Sequence, residues 1–171
     1  MAEHHEPSEP ATTTDERTML VEFLDYFRAV FERKVGGLDD EQARVRVAAS
    51  SIDLLGLVRH MAEVERWWFR RLFTAEIDTG VYELPDDIDA DWHHGSADTL
   101  ADALDAWQSE VTRAREIVLD APSLETIGAL STTSRGDVSL RWIVVHMIEE
   151  YARHCGHADL IREAIDGRVG D

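Results

Sequence analysis

Apolar residues recur every three or four positions along most of this chain, and that spacing predicts helices. Leu20, Phe23, Leu24, Phe27, Val30 and Phe31 form the first such face, because i, i+3 and i+4 neighbours share one side of a helix. Asp15 and Glu16 bring negative charge to its first turn, and Gly36-Gly37 stops it. The connector over 38–49 has room for a helical turn. A second helix is predicted over 51–73, capped by Ser50 or Ser51, with Leu54, Leu57, Val58, Met61, Val64, Trp68 and Leu72 facing inward. Residues 74–97 are rich in Asp and Gly and lose the period; a loop beyond ~15 residues in a compact domain is often functional. A third helix over 98–119 ends at Asp120-Ala121-Pro122, and a fourth over 138–165 is closed by Gly167. Four long helices without strand-like alternation predict an all-α four-helix bundle with a long loop between the second and third helices. Residues 1–11 hold two of the four prolines and little to bury, so they are expected to be a disordered tail before a single domain over 12–171. His4 and His5 in that tail carry no expected metal role.

The composition narrows the choice of partners. The 171 residues include 17 Lys+Arg against 35 Asp+Glu, a net charge of −18, yet 44% are hydrophobic, enough for a core. Such acidity argues against nucleic-acid partners, which are held by clustered cations, and against an anionic membrane surface. The chain shows no signal-peptide pattern and no long uncharged apolar run, so a soluble cytoplasmic protein is expected. Its one cysteine, Cys155, rules out an internal disulfide or an all-cysteine zinc site.

The fourth helix carries polar groups where a core face should be apolar. With about 100° per residue, and His146 set to zero, Glu150 falls at about 40°, His157 at about 20° and His154 at about 80°. Trp142, Ile143, Met147, Leu160 and Ile161 share that arc. A carboxylate buried there must be paired, neutral or bound to a metal. Glu150 and His154 are one turn apart on one face, and His60 points inward from the second helix. Together they would make three ligands with an open position, as catalytic zinc uses. The plainer alternatives are a satisfied core histidine and an ordinary i, i+4 polar pair. Arg153, near the same arc, is placed to neutralise a carboxylate or a reactant. Cys155 lies on the far side of the helix, where a small buried hydrophobe is expected rather than a nucleophile. Trp67-Trp68-Phe69 reads as packing, Arg66, Arg70 and Arg71 as surface ion pairs, and His93-His94 as exposed loop residues.

The stretch 54–69, with Arg59-His60-Met61 at its centre and Trp67-Trp68-Phe69 at its end, resembles the second helix of the DinB/YfiT-like metalloenzyme superfamily. Ser139-Leu140-Arg141-Trp142, His146-Met147-Ile148-Glu149-Glu150 and Ala152-Arg153-His154-Cys155-Gly156-His157-Ala158-Asp159 are similar to its actinobacterial, mycothiol-linked branch. The resemblance implies a bundle that binds a divalent metal, zinc or nickel, through three side chains, with His60 and His154 matching two. Glu150 stands where the wider superfamily has histidine, as in the mycothiol-dependent maleylpyruvate isomerases. His157 stands where others carry glutamine.

On this reading the protein is a metal-dependent thiol S-transferase. A low-molecular-weight thiol, mycothiol by resemblance, is activated as a metal-bound thiolate and attacks an electrophile. His146 or His157 serves as ligand partner or proton acceptor, and Trp92 in the long loop packs against a reactant. The alternatives are a mycothiol-dependent isomerase and a non-catalytic metal-stabilised stress-response module. Val144, Ile148 and Cys155 on the back of the fourth helix call for cover, either by the long loop or by a second chain. The resemblance favours a homodimer.

Overall fold

The structure, a computed structural model, describes residues 7–47 and 49–170. Helix α1 (Glu16–Val35) begins at Asp15, whose side chain accepts from the Thr18 amide. A short α2 (Asp40–Ala43) occupies the connector, closed by a reciprocal Asp39–Gln42 capping box. Helix α3 (Leu54–Glu65) is capped by Asp53, not by Ser50 or Ser51. It runs without a break into a π-helical segment (Arg66–Phe73). Helices α4 (Leu100–Asp120) and α5 (Leu140–Asp166) start at Thr99 and Ser139, both accepting amide hydrogen bonds. Gly167 ends α5 with φ 76°, a left-handed conformation that glycine adopts without strain. The four long helices form the expected bundle. Among the described residues, no helix is long and apolar enough to cross a membrane. Residues 7–11 have no regular structure, and Ala11 donates its amide to Glu22; His4 and His5 lie outside the described residues.

The apolar faces meet in one core in which Phe31, Trp107, Phe69 and Tyr151 are fully enclosed. A charged group sits inside it. Arg28 of α1 holds the Glu65 carboxylate through both oxygens, at 2.8 and 2.7 Å. Tyr151 of α5 donates to Glu65 at 2.7 Å and accepts from the Trp107 indole at 2.8 Å. Four elements are thereby tied at one point, with the carboxylate shielded from water. An unpaired charge there would be untenable, and a fully paired one adds direction to apolar packing.

The back of α5 is covered by α1 of the same chain, and not by the long loop. Val144 is fully buried and Cys155 nearly so, its Sγ 3.6 Å from the Phe27 carbonyl oxygen. Further along, Lys34 pairs with Asp159, and Arg162 donates to the carbonyls of Lys34 and Gly36 at 2.8 Å each. Those contacts satisfy the C-terminal carbonyls of α1. The apolar back face therefore gives no reason for a dimer. Leu160, which periodicity placed on the inward arc, is 64% exposed, because the buried face of α5 is the one that carries Ala158, Ile161 and Arg162 and Leu160 points away from it.

The long loop folds back over α3. Glu63 accepts from the amides of Val81 and Tyr82 at 2.7 and 2.9 Å. Gly80 permits this approach, since a Cβ there would sit 2.1 Å from a Glu63 oxygen. Arg59, almost fully buried, donates to the carbonyls of Asp91 (3.0 Å) and Ala90 (2.9 Å) and pairs with Asp98 at 3.1 Å. Its guanidinium also lies 3.9 Å from the centre of the Tyr82 ring. One residue of α3 thus pins the loop from several sides.

Candidate metal centre

That anchoring has a consequence one residue along the helix. With the backbone of Ala90 and Asp91 fixed on Arg59, the Asp91 carboxylate reaches His60, Oδ2 to Nδ1 at 2.7 Å. The pairing assigns the neutral ring a proton on Nδ1, which leaves the Nε2 lone pair for a metal. A carboxylate behind a ligating histidine is the usual way its orientation and basicity are set. Trp92 stacks on the same imidazole, 4.4 Å between centroids and 26° between planes.

Helix α5 supplies the other two groups. Glu150 and His154 are one turn apart, with Nε2 of His154 3.3 Å from Oε2 of Glu150. The His154 ring meets the His60 ring edge to face at 4.9 Å. One donor atom from each of His60, Glu150 and His154 lies within 4.8 Å of the others. Burial, with His60 and His157 alongside, pushes the His154 imidazolium down to about 3. The ring is therefore neutral at physiological pH, as a ligand must be. Two imidazoles and one carboxylate form a borderline donor set that fits a zinc-type ion, and three protein donors leave one position of a tetrahedral site open.

The remaining expected residues border this set. His146 sits between Trp142, stacked at 4.9 Å, and Trp68, edge-on at 4.8 Å. Its Nε2 is 3.5 Å from Oε1 of Glu150, and burial lowers its affinity for a proton. His157 faces His154 Nδ1 to Nδ1 at 3.3 Å, so one imidazole donates and the other accepts. Arg153 pairs with Glu149 and reaches both oxygens of Glu150 at 3.4 Å. Glu150 thus has a cationic neighbour as well as its place in the candidate donor set. Trp92 covers His60 and lies 6.1 Å from His154, so it forms a wall of the centre by packing on the ligands.

A second grouping, His146 with Glu149 and Glu150, is less suited to a metal although its donor atoms are close. The two carboxylates address opposite nitrogens of the ring, and Glu149 is engaged by Arg153. It has the form of ion pairing around His146. Cys155 is remote from this chemistry, with burial pushing its thiol up to about 12. A cleft of about 670 Å³ between Trp67, Arg71 and the loop around Pro85 reaches Asp91, behind His60.

Sequence reasoning missed Asp91 and Arg59, because a carboxylate in an irregular acidic loop gives no periodic signal. It also misread His94. That side chain is 6% exposed, with Nε2 2.9 Å from Asp53 and Nδ1 2.8 Å from Arg44, and it helps fasten the loop to the start of α3. His93 is exposed as expected, beside Asp87.

Among solved structures, the crystal structure of a conserved protein from Enterococcus faecalis matches with a TM-score of 0.62 and 17% identity. The match covers 91% of this chain and 100% of that one, and at such identity it speaks for the fold alone. A comparison with curated protein sequences finds no match. A family model described as mycothiol-S-transferase matches residues 19–167. That span takes in nearly all of the bundle, together with His60, Glu150 and His154, and the chain belongs to the mycothiol-S-transferase family of DinB/YfiT-like proteins.

Proposed function

We propose that this protein is a divalent-metal-dependent thiol S-transferase that joins a low-molecular-weight thiol, mycothiol, to an electrophilic carbon. The observation that supports it most is the convergence of His60, Glu150 and His154 in a bundle of this family. Zinc is the ion expected first and nickel second. When bound, such an ion supplies the charge that lets a coordinating thiol lose its proton at neutral pH.

The chain's own residues do the rest. Asp91 holds His60 in the tautomer that presents Nε2. His157 holds the outer nitrogen of His154. His146, kept neutral by burial beside Glu150, receives the thiol proton. Trp92 and the paired Trp68 and Trp142 narrow the access of water to the ligands. A new carbon–sulfur bond forms as the leaving group departs with its electron pair. All three metal donors come from one chain, so the homodimer that the resemblance implies is not required for the chemistry. A cytoplasmic place of action accords with a small-thiol cosubstrate.

The test is metal analysis followed by thiol conjugation read by mass spectrometry. About one divalent ion per chain and consumption of mycothiol with an electrophile are expected, and both should be lost in His60→Ala and His154→Ala. Full metal occupancy in both variants would remove the site. Thiol recovered unchanged after turnover would make the protein an isomerase. A metal-loaded protein that consumes no thiol would be a binding module.

A further inference from the structure

Arg135 lies on the Trp142 side of the candidate centre, two side chains removed from Glu150. It lies in a tight turn whose ends, Thr132 and Gly136, exchange backbone hydrogen bonds at 2.9 and 3.0 Å. Gly136 has φ 71°, and the Arg135 amide donates to the Thr132 hydroxyl at 2.9 Å. The turn holds the Arg135 guanidinium 5.3 Å from the centre of the Trp142 ring. Trp142 stacks in turn on His146, which meets Glu150. A cation is thus connected to a metal donor by two contiguous rings.

Its surroundings make this cation unusual for the chain. Acidic residues outnumber basic ones 35 to 17, and most arginines are claimed by carboxylates. Arg28 is held by Glu65, Arg66 and Arg70 by Glu110, Arg113 by Glu76, and Arg141 by Glu16 and Glu125. Arg135 is exposed, and among the described residues no carboxylate lies within ion-pair distance of its guanidinium. A net charge of −18 repels anions at long range. An anionic reactant would therefore need a local cation to be retained, and a guanidinium matches the planar, two-oxygen geometry of a carboxylate.

We propose that Arg135 binds a carboxylate on the electrophilic reactant, with Trp142 supporting the reactant's apolar body, so that the site selects acidic electrophiles over neutral ones. The proposal rests on the thiol-transferase reading for the word electrophile. Its core, a carboxylate site at Arg135 beside the centre, does not depend on turnover.

Calorimetric titration of the metal-loaded protein with 3-phenylpropionate, and with its neutral amide for comparison, tests it. Arg135→Gln is expected to weaken the carboxylate by about tenfold, the scale of a hydrogen bond to a charged group. The same change should leave the amide as it was, and Arg135→Lys should recover part of the loss. Any direct contact of the carboxylate with the ion is common to all these proteins and cancels in the comparison. Equal carboxylate affinity in wild type and Arg135→Gln, absence of binding included, overturns the proposal. An equal loss for acid and amide also overturns it, because that would be packing alone. In conjugation assays the KM for an acidic electrophile should rise in Arg135→Gln while that of a neutral one stays. If no electrophile is conjugated at all, the transferase reading fails while the titration still decides the carboxylate site.

Discussion

Replacing Asp91 by Asn removes one charge and almost no volume, at a position that touches the proposed metal only through His60. The carboxylate lies 2.7 Å from Nδ1, and its side chain is 11% exposed, so little water screens the contact. Asn retains an oxygen that can accept from Nδ1 but not the charge that raises the basicity of Nε2. Loss of such a partner typically costs about 10–100-fold in metal affinity, or roughly 1.4–2.7 kcal/mol. Asp91→Ala should fall at the severe end, since it also frees the ring to turn. The fold should persist in both, because Arg59 holds this loop by the backbone carbonyls of Ala90 and Asp91, which neither change touches. Arg59→Ala should conversely weaken the metal without contacting it, by releasing Asp91 and Trp92 together. Zinc affinity by chelator competition, with melting of the metal-free proteins alongside, measures the effect. Wild-type affinity in both Asp91 variants would show that the loop carboxylate does not orient the ligand.

Three further outcomes follow from the geometry. Glu150→Gln should weaken metal binding sharply with little change in melting temperature; retained metal with a lower melting temperature would make Glu150 the buried partner of Arg153 instead. Arg28→Ala leaves the Glu65 carboxylate enclosed and without its cation, and should cost about 3–5 kcal/mol in a denaturant melt. The pH dependence of the metal-free protein has a definite sign. Unfolded His154 takes up a proton near 6.5, whereas folded His154 resists until about 3. Between those values the unfolded chain binds the extra proton, so this contribution is complete above pH 6.5 and is lost as pH falls toward 3. Urea melts in chelator across that window should show the decline, and His154→Gln should flatten it.

The sequence established what depends on near neighbours. Helix existence follows from a short period, and Glu150 with His154 was legible because four residues make one turn. His60 was legible as an inward histidine on an apolar face, which bundle geometry grouped with the other two and the resemblance then supported. Helix starts were less secure: Asp53 caps α3, where two serines offered the same chemistry, because Arg46 and His94 converge on its carboxylate from elsewhere.

Only the tertiary structure decided which distant groups meet. Asp91 reaches His60 because Arg59 and Glu63 bind the loop backbone, which no spacing within the loop encodes. Glu65 and Tyr151 sit at inward positions of their helices, but their meeting with Arg28 required three helices to be in place. The cover over Val144 and Cys155 was misassigned for the same reason: an apolar stripe declares that it will be buried, not by what. Burial of a face is a local free-energy preference, summed residue by residue along one helix. The choice of partner is set by the packing of whole elements, and for charged groups that choice separates a stabilising pair from a prohibitive cost.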